Sequence, residues 1–142
     1  MYSLEHLMSR FNLQIAIALV FAACGSTGSN GPCHLVRNGQ FRDAALPGQT
    51  YLVTRSESEQ TEEVAEMGHR SRSTVLWIDS CTYKLYAREL ISGDVEPISS
   101  NDTLTVSILS VDSLGFDYRA VISSNNPNLN GLAVNGRQTF VR

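Results

Sequence analysis

The stretch "TLTVSILSV", Thr103 to Val111, decides how the rest of the chain is read. Leu104, Val106 and Ile108 alternate with Thr103, Thr105 and Ser107, so one face of the segment is apolar and the other hydroxylic. Successive side chains of an extended chain point to opposite faces, and this alternation predicts a half-buried antiparallel strand. Immediately downstream, "FDYRAVI" repeats the pattern, with Phe116, Tyr118 and Ala120 set against Asp117 and Arg119. The intervening "SLG" supplies a hairpin turn.

Working outward, "TYKLYAREL" alternates Tyr83, Leu85 and Ala87 with Lys84, Tyr86 and Arg88, and "STVLWID" is β-branched and aromatic around Trp77. Shorter runs are "HLVRNG", "TYLVTR", "QTEEVAE" and a last one from Leu132 to Val141, broken at Asn135 and Gly136. Helical periodicity is hard to find. The fold class is therefore all-β: a single small antiparallel β-barrel or β-sandwich of about eight strands, lipocalin-like in outline. Residues 33–142 suffice for one such domain and are too few for two. Closure, or packing of two sheets, would hide edges that otherwise recruit other chains. The connections Ile91 to Asp102 and Asn125 to Asn130, rich in Gly, Pro, Ser and Asn, read as loops.

The N-terminal segment has a different character. Ile15 to Ala23 is an unbroken apolar run, far short of the roughly 20 residues that cross a bilayer core but suited to a secretory signal. Its end, "FAAC", resembles the lipobox of bacterial lipoproteins, in which a cysteine after small residues is acylated and becomes the mature N-terminus. The expected organisation is a lipoprotein signal over residues 1–23, a Gly/Ser tether over 24–32 beginning at the lipidated Cys24, and the β domain over 33–142. Phe21 departs from the usual leucine of the lipobox, and the alternative is a plain secretory signal that leaves Cys24 free. If translation starts at Met8, the leader opens with "MSRFNLQ", an ordinary basic n-region.

The formal charge is −3, and removal of Glu5 and Arg10 with the leader leaves it unchanged, so no basic patch invites nucleic acid. The glycines after Cys24 have neither a strand before them nor a helix after them, and no cofactor is expected. Three cysteines are an odd number for an exported protein. If Cys24 carries lipid, Cys33 and Cys81 remain as a pair; two buried free thiols are the alternative. A bond between them would close a loop of about 49 residues and, on chain-entropy grounds, stabilise the fold by about 4 kcal/mol. His34 and His69 have no ligand-like spacing to either cysteine, and no metal is expected.

Arg55 and Gln60 flank "SESE" and could face each other across a hairpin, with Glu62 diagonal to Arg55 on the same face. This polar cluster of Arg55, Gln60 and Glu62 either lines a ligand pocket or is an internal pair that fixes strand register, and the second reading is preferred. The acidic stretch of Glu57, Glu59, Glu62, Glu63 and Glu66, followed by His69, Arg70 and Arg72, reads as a solvated edge. No serine sits in a G-x-S-x-G elbow and no spacing nominates a dyad, so the chain is expected to be non-enzymatic, with no catalytic residues.

Three segments taken together, "CHLVRNGQF", "RSESEQTEE" and "STVLWIDSCTYKL", resemble a family of small uncharacterised exported, lipoprotein-like proteins of Bacteroidota. The shared pattern is Cys33, Arg37, Gly39 and Phe41, then Arg55, Gln60 and Glu62, then Trp77, Cys81, Tyr83 and Leu85, spanning roughly Cys33 to Leu90. The resemblance implies export, the Cys33 and Cys81 pair, a β fold and membrane attachment through the lipid, and supplies no mechanism. The tether lacks the acidic residues that in that group often accompany surface display, which favours an outer-membrane anchor facing the periplasm, or secretion if Cys24 is not lipidated. The expected function is a cell-envelope lipoprotein that binds a protein or small ligand. One alternative is a lipocalin-like carrier with an apolar cavity around Trp77, Phe116 and Tyr118. Another is an envelope inhibitor of a hydrolase such as lysozyme, with a reactive loop between Ile91 and Asp102.

Overall fold

The computed structural model describes residues 32–44, 48–94 and 98–142. The expected signal segment, Cys24 and the tether up to residue 31 lie outside the described residues. The domain is a closed barrel, the first of the two all-β architectures expected. Its eight strands are β1 (Gly39–Asp43), β2 (Tyr51–Arg55), β3 (Glu59–Val64), β4 (His69–Trp77), β5 (Thr82–Ser92), β6 (Thr103–Val111), β7 (Gly115–Ser123) and β8 (Ala133–Phe140). Each strand pairs antiparallel with its chain neighbour, and β1 meets β8 through Phe41 opposite Phe140 and Asp43 opposite Gln138, closing the ring. The strand at Thr103 to Val111 buries Val106 and Ile108 as its alternation requires.

One predicted strand is displaced. "HLVRNG" is not extended: Cys33–Val36 forms one turn of 3₁₀ helix after Pro32, and β1 starts only at Gly39. Residues three apart eclipse in a 3₁₀ turn, so Cys33 and Val36 both face the barrel interior while His34 and Leu35 stay in solvent. This turn plugs one end. It is held by the disulfide between Cys33 and Cys81 and by Arg37, whose guanidinium lies 4.5 Å from the Trp77 ring centre and donates to the Asp79 carbonyl. Behind it the interior is packed with aromatic rings: Phe41 against Phe116 at 5.4 Å, edge to face, and Trp77 against Tyr83 at 4.8 Å. Turns at this end are drawn tight by aspartates, Asp79 accepting from the Cys81 N–H and Asp112 from the N–H groups of Leu114 and Gly115.

Two features on β5 and β8 shape the interior. On β5, Tyr83 and Leu85 point inward as expected, but Ala87 does not: it has φ 51° and is exposed. Arg72 pairs with Glu89 and Thr74 with Tyr86, so Ser73 on β4 is opposed by both Ala87 and Arg88, a β-bulge. The extra residue reverses the facing of the residues next to it and turns Arg88 into the barrel. On β8, the expected break at Asn135 and Gly136 is instead continuous strand. Gly136 sits opposite Tyr118, whose ring occupies the space a Cβ would need, an aromatic side chain covering a strand glycine.

The expected solvated edge at Glu57 to Arg72 is likewise not an edge, because the ring is closed. Its outward charges pair between strands instead, Arg70 with Glu63 at 3.0 Å and Arg72 with Glu89 at 2.6 Å, while His69, Ser71 and Ser73 face inward along β4.

The bond from Cys33 to Cys81 fastens the plug across a separation of 48 residues. The double variant Cys33→Ala/Cys81→Ala should lose about 2–4 kcal/mol of unfolding free energy by urea titration; a loss below about 1 kcal/mol would show that Arg37 and Arg55 hold the plug without it.

Candidate functional site

Above the aromatic layer the side chains stop meeting, and a cavity of about 440 Å³ opens toward the loops at the far end of the barrel. Its walls are Val53, Val64, Leu85, Leu104, Val106, Ala120, Ile122 and Val134, the inward residues of six strands. Tyr51 and Gln49 from the start of β2, Met67 from the β3–β4 turn, and Asp94 and Ile98 from the β5–β6 connection stand around the mouth. Between β5 and β6 the pairing ends at Leu85 opposite Leu104. Above that level β5 continues paired to β4 alone.

The floor is polar and centred on Arg55. This side chain is buried, 3 % exposed, beneath the cavity, with its guanidinium 4.5 Å from the Tyr83 ring centre and 5.0 Å from that of Phe41. Its Nε donates to Gln60 Oε1 at 2.7 Å, Nη1 to the Val36 carbonyl at 2.9 Å and Nη2 to Gln138 Oε1 at 3.1 Å. Because each glutamine presents its oxygen to the arginine, each turns its amide NH₂ the other way, onto a carboxylate. Gln60 donates to Glu62 at 2.7 Å and Gln138 to Asp43 at 3.0 Å. Beyond these, Arg88 donates to the second Glu62 oxygen at 2.9 Å, and the Tyr118 hydroxyl to Asp43 at 2.7 Å. One cation thus reaches two carboxylates through two amides.

Burial lowers the Arg55 pKa from its ordinary value, while the Tyr83 and Tyr118 phenols and the Glu62 and Asp43 carboxylates oppose that shift. Both phenols are pushed well above the usual tyrosine range. For Tyr83 the cause is burial, and for Tyr118 burial is followed by the negative charge of Asp43. Both are therefore uncharged at neutral pH.

Of the residues singled out from sequence, Arg55, Gln60 and Glu62 do come together, with Arg55 paired to Gln60 across the β2–β3 hairpin. No ion pair joins Arg55 to Glu62, however; the Gln60 amide stands between them, and the partner of Glu62 is Arg88. Asp43 and Gln138, placed on the floor by the β1–β8 closure, and Arg88, turned in by the bulge, were not among the candidates. Asp43 shares the parity of Phe41, which was a signal for it; the facing of Arg88 had none. Cys33 and Cys81 are bonded, whereas Cys24 falls outside the described residues. Of the three aromatic residues expected around a cavity, only Tyr118 lines it, since Trp77 and Phe116 belong to the filled end. The segment expected to be a reactive loop, Ile91 to Asp102, contributes Asp94 and Ile98 to the cavity mouth.

The geometry defines a class: an up-and-down eight-stranded barrel, plugged at one end and hollow at the other. No protein-family model, curated protein or solved structure matches this chain.

Two outcomes follow from the floor. Arg55→Leu strands the Gln60 and Gln138 oxygens and the Val36 carbonyl together, and should cost about 3–5 kcal/mol in urea unfolding; a cost under about 1 kcal/mol would show the network to be incidental. In alkaline solution the folded barrel keeps the Tyr83 and Tyr118 protons that the unfolded chain releases around the ordinary value of 10.0, so stability falls as pH rises through that range. In an ultraviolet titration the Tyr83 and Tyr118 signals, assigned from Tyr→Phe variants, should appear only as the far-ultraviolet circular dichroism collapses.

Proposed function

We propose that this protein binds a small molecule inside the barrel and does so at the cell envelope, tethered by a lipid on Cys24 as one of the Bacteroidota family it resembles. The observation that carries the reading is the cavity: about 440 Å³, walled by aliphatic side chains, open at one end and sealed at the other. A volume of this size lies in the ordinary range for ligand sites, and an apolar hollow with a few converging polar groups is their usual composition. A barrel of eight strands is the size at which the interior either fills with side chains or holds one small ligand, and here it does each in half of its length.

The polar side chains of the floor are occupied with one another, which supports binding in preference to catalysis. The chain leaves the barrel N-terminally at Pro32, beside the plug. A tether from there would hold the plugged end toward the membrane and leave the cavity mouth facing away from it.

Native mass spectrometry of the protein extracted gently from its own cells tests both parts. The expected result is a chain starting at Cys24 with acyl groups, carrying additional non-covalent mass that an Ala120→Phe variant, which fills the cavity from β7, no longer retains. A wild-type chain that carries no extra mass, or carries as much in the filled variant, contradicts the binding site; an unacylated Cys24 contradicts the anchor alone.

A further inference from the structure

The floor of the cavity also restricts what can occupy it. Four side chains of formal charge meet at this level, Asp43, Glu62 and Arg88 lining the cavity and Arg55 buried beneath it, and their formal charges cancel. Each is already engaged with protein: Arg55 with two glutamines and a carbonyl, Glu62 with Gln60 and Arg88, Asp43 with Gln138 and Tyr118. Tyr83 and Tyr118 contribute no charge, being held protonated by burial. The remaining ionisable residues lining the cavity, Tyr51, His69 and Asp94, stand by its mouth, at the starts of β2 and β4 and just after β5.

A ligand lying along the aliphatic walls has to present its inner end to this neutral, self-paired layer. An ionised head would leave water for a site whose opposite charges already neutralise one another, and would meet both signs of charge there. Transfer of that kind is strongly unfavourable. An uncharged hydroxyl meets no such penalty, because a carboxylate has about four lone-pair sites and can accept a further hydrogen bond. Resting on the binding reading above, we infer that the ligand is an uncharged amphiphile, an aliphatic body ending in a hydroxyl-type head that sits on the Asp43, Glu62 and Arg88 floor.

Competition at neutral pH between probes of one chain length tests this. Nile red, a neutral apolar dye, reports occupancy of the purified protein, and decanol, decanoate and decylammonium are compared as displacers below their aggregation limits. Decanol should displace the dye at a concentration roughly tenfold or more below that needed for either ion. In a Glu62→Gln variant, which leaves the floor with one net positive charge, the preference should shift toward decanoate by roughly tenfold. Bound dye displaced best by decanoate or decylammonium, or by none of the three, overturns the assignment of the head group and leaves the binding reading in place. An unchanged preference in Glu62→Gln overturns it also. Failure of Nile red itself to bind overturns the binding reading, and this inference with it.

Discussion

One buried guanidinium sets the terms for the rest of this barrel. Arg55 stands at the bottom of β2 where a hydrocarbon side chain would be the simpler choice, and it reaches the N-terminal plug through the Val36 carbonyl, β3 through Gln60 and β8 through Gln138. The cost of removing such a charge from water is several kcal/mol and is recovered only if its hydrogen-bonding capacity is met. Three protein acceptors and the faces of Phe41, Tyr83 and Phe116 meet it here. Because those partners come from parts of the chain far apart in sequence, satisfying one residue fixes the register of the hairpin, the seam of the ring and the seat of the plug together.

The same residue divides the interior. Below it aromatic rings fill the barrel; above it the inward side chains of β2, β4 and β7 include Val53, Ser71 and Ala120, and small residues facing one another across a barrel of this size leave a hollow. The bulge at Ala87 adds Arg88 to the wall of that hollow at the cost of an alanine in left-handed backbone, a conformation that L residues seldom take without a local reason. The bulge brings Arg88 onto Glu62 as its cationic partner at 2.9 Å.

Most of the strands were legible in the sequence because one face of each is buried and the other wet, and period two records that directly. Arg55, Gln60 and Glu62 were legible as a cluster because a short hairpin joins them. Three features were not. The plug reads as a strand in "HLVRNG", since two buried residues three apart in a 3₁₀ turn look little different from an irregular strand over so short a run. The inward turn of Arg88 depends on a bulge whose φ of 51° falls on an alanine, whereas glycine would have announced it. The joining of Asp43 to Gln138 is a property of ring closure, which brings together residues 95 apart and leaves no local trace.

The most direct test of the central claim, that Arg55 floors a hollow and seals a filled end, is a crystal structure determined under xenon pressure. Xenon occupies apolar cavities and is excluded from close-packed interiors. The account predicts xenon among Val53, Leu104, Ala120 and Ile122, none between Arg55 and the plug, and the guanidinium bonded to Val36, Gln60 and Gln138. A barrel packed to its mouth with no xenon inside, or an Arg55 turned out to solvent, would contradict it.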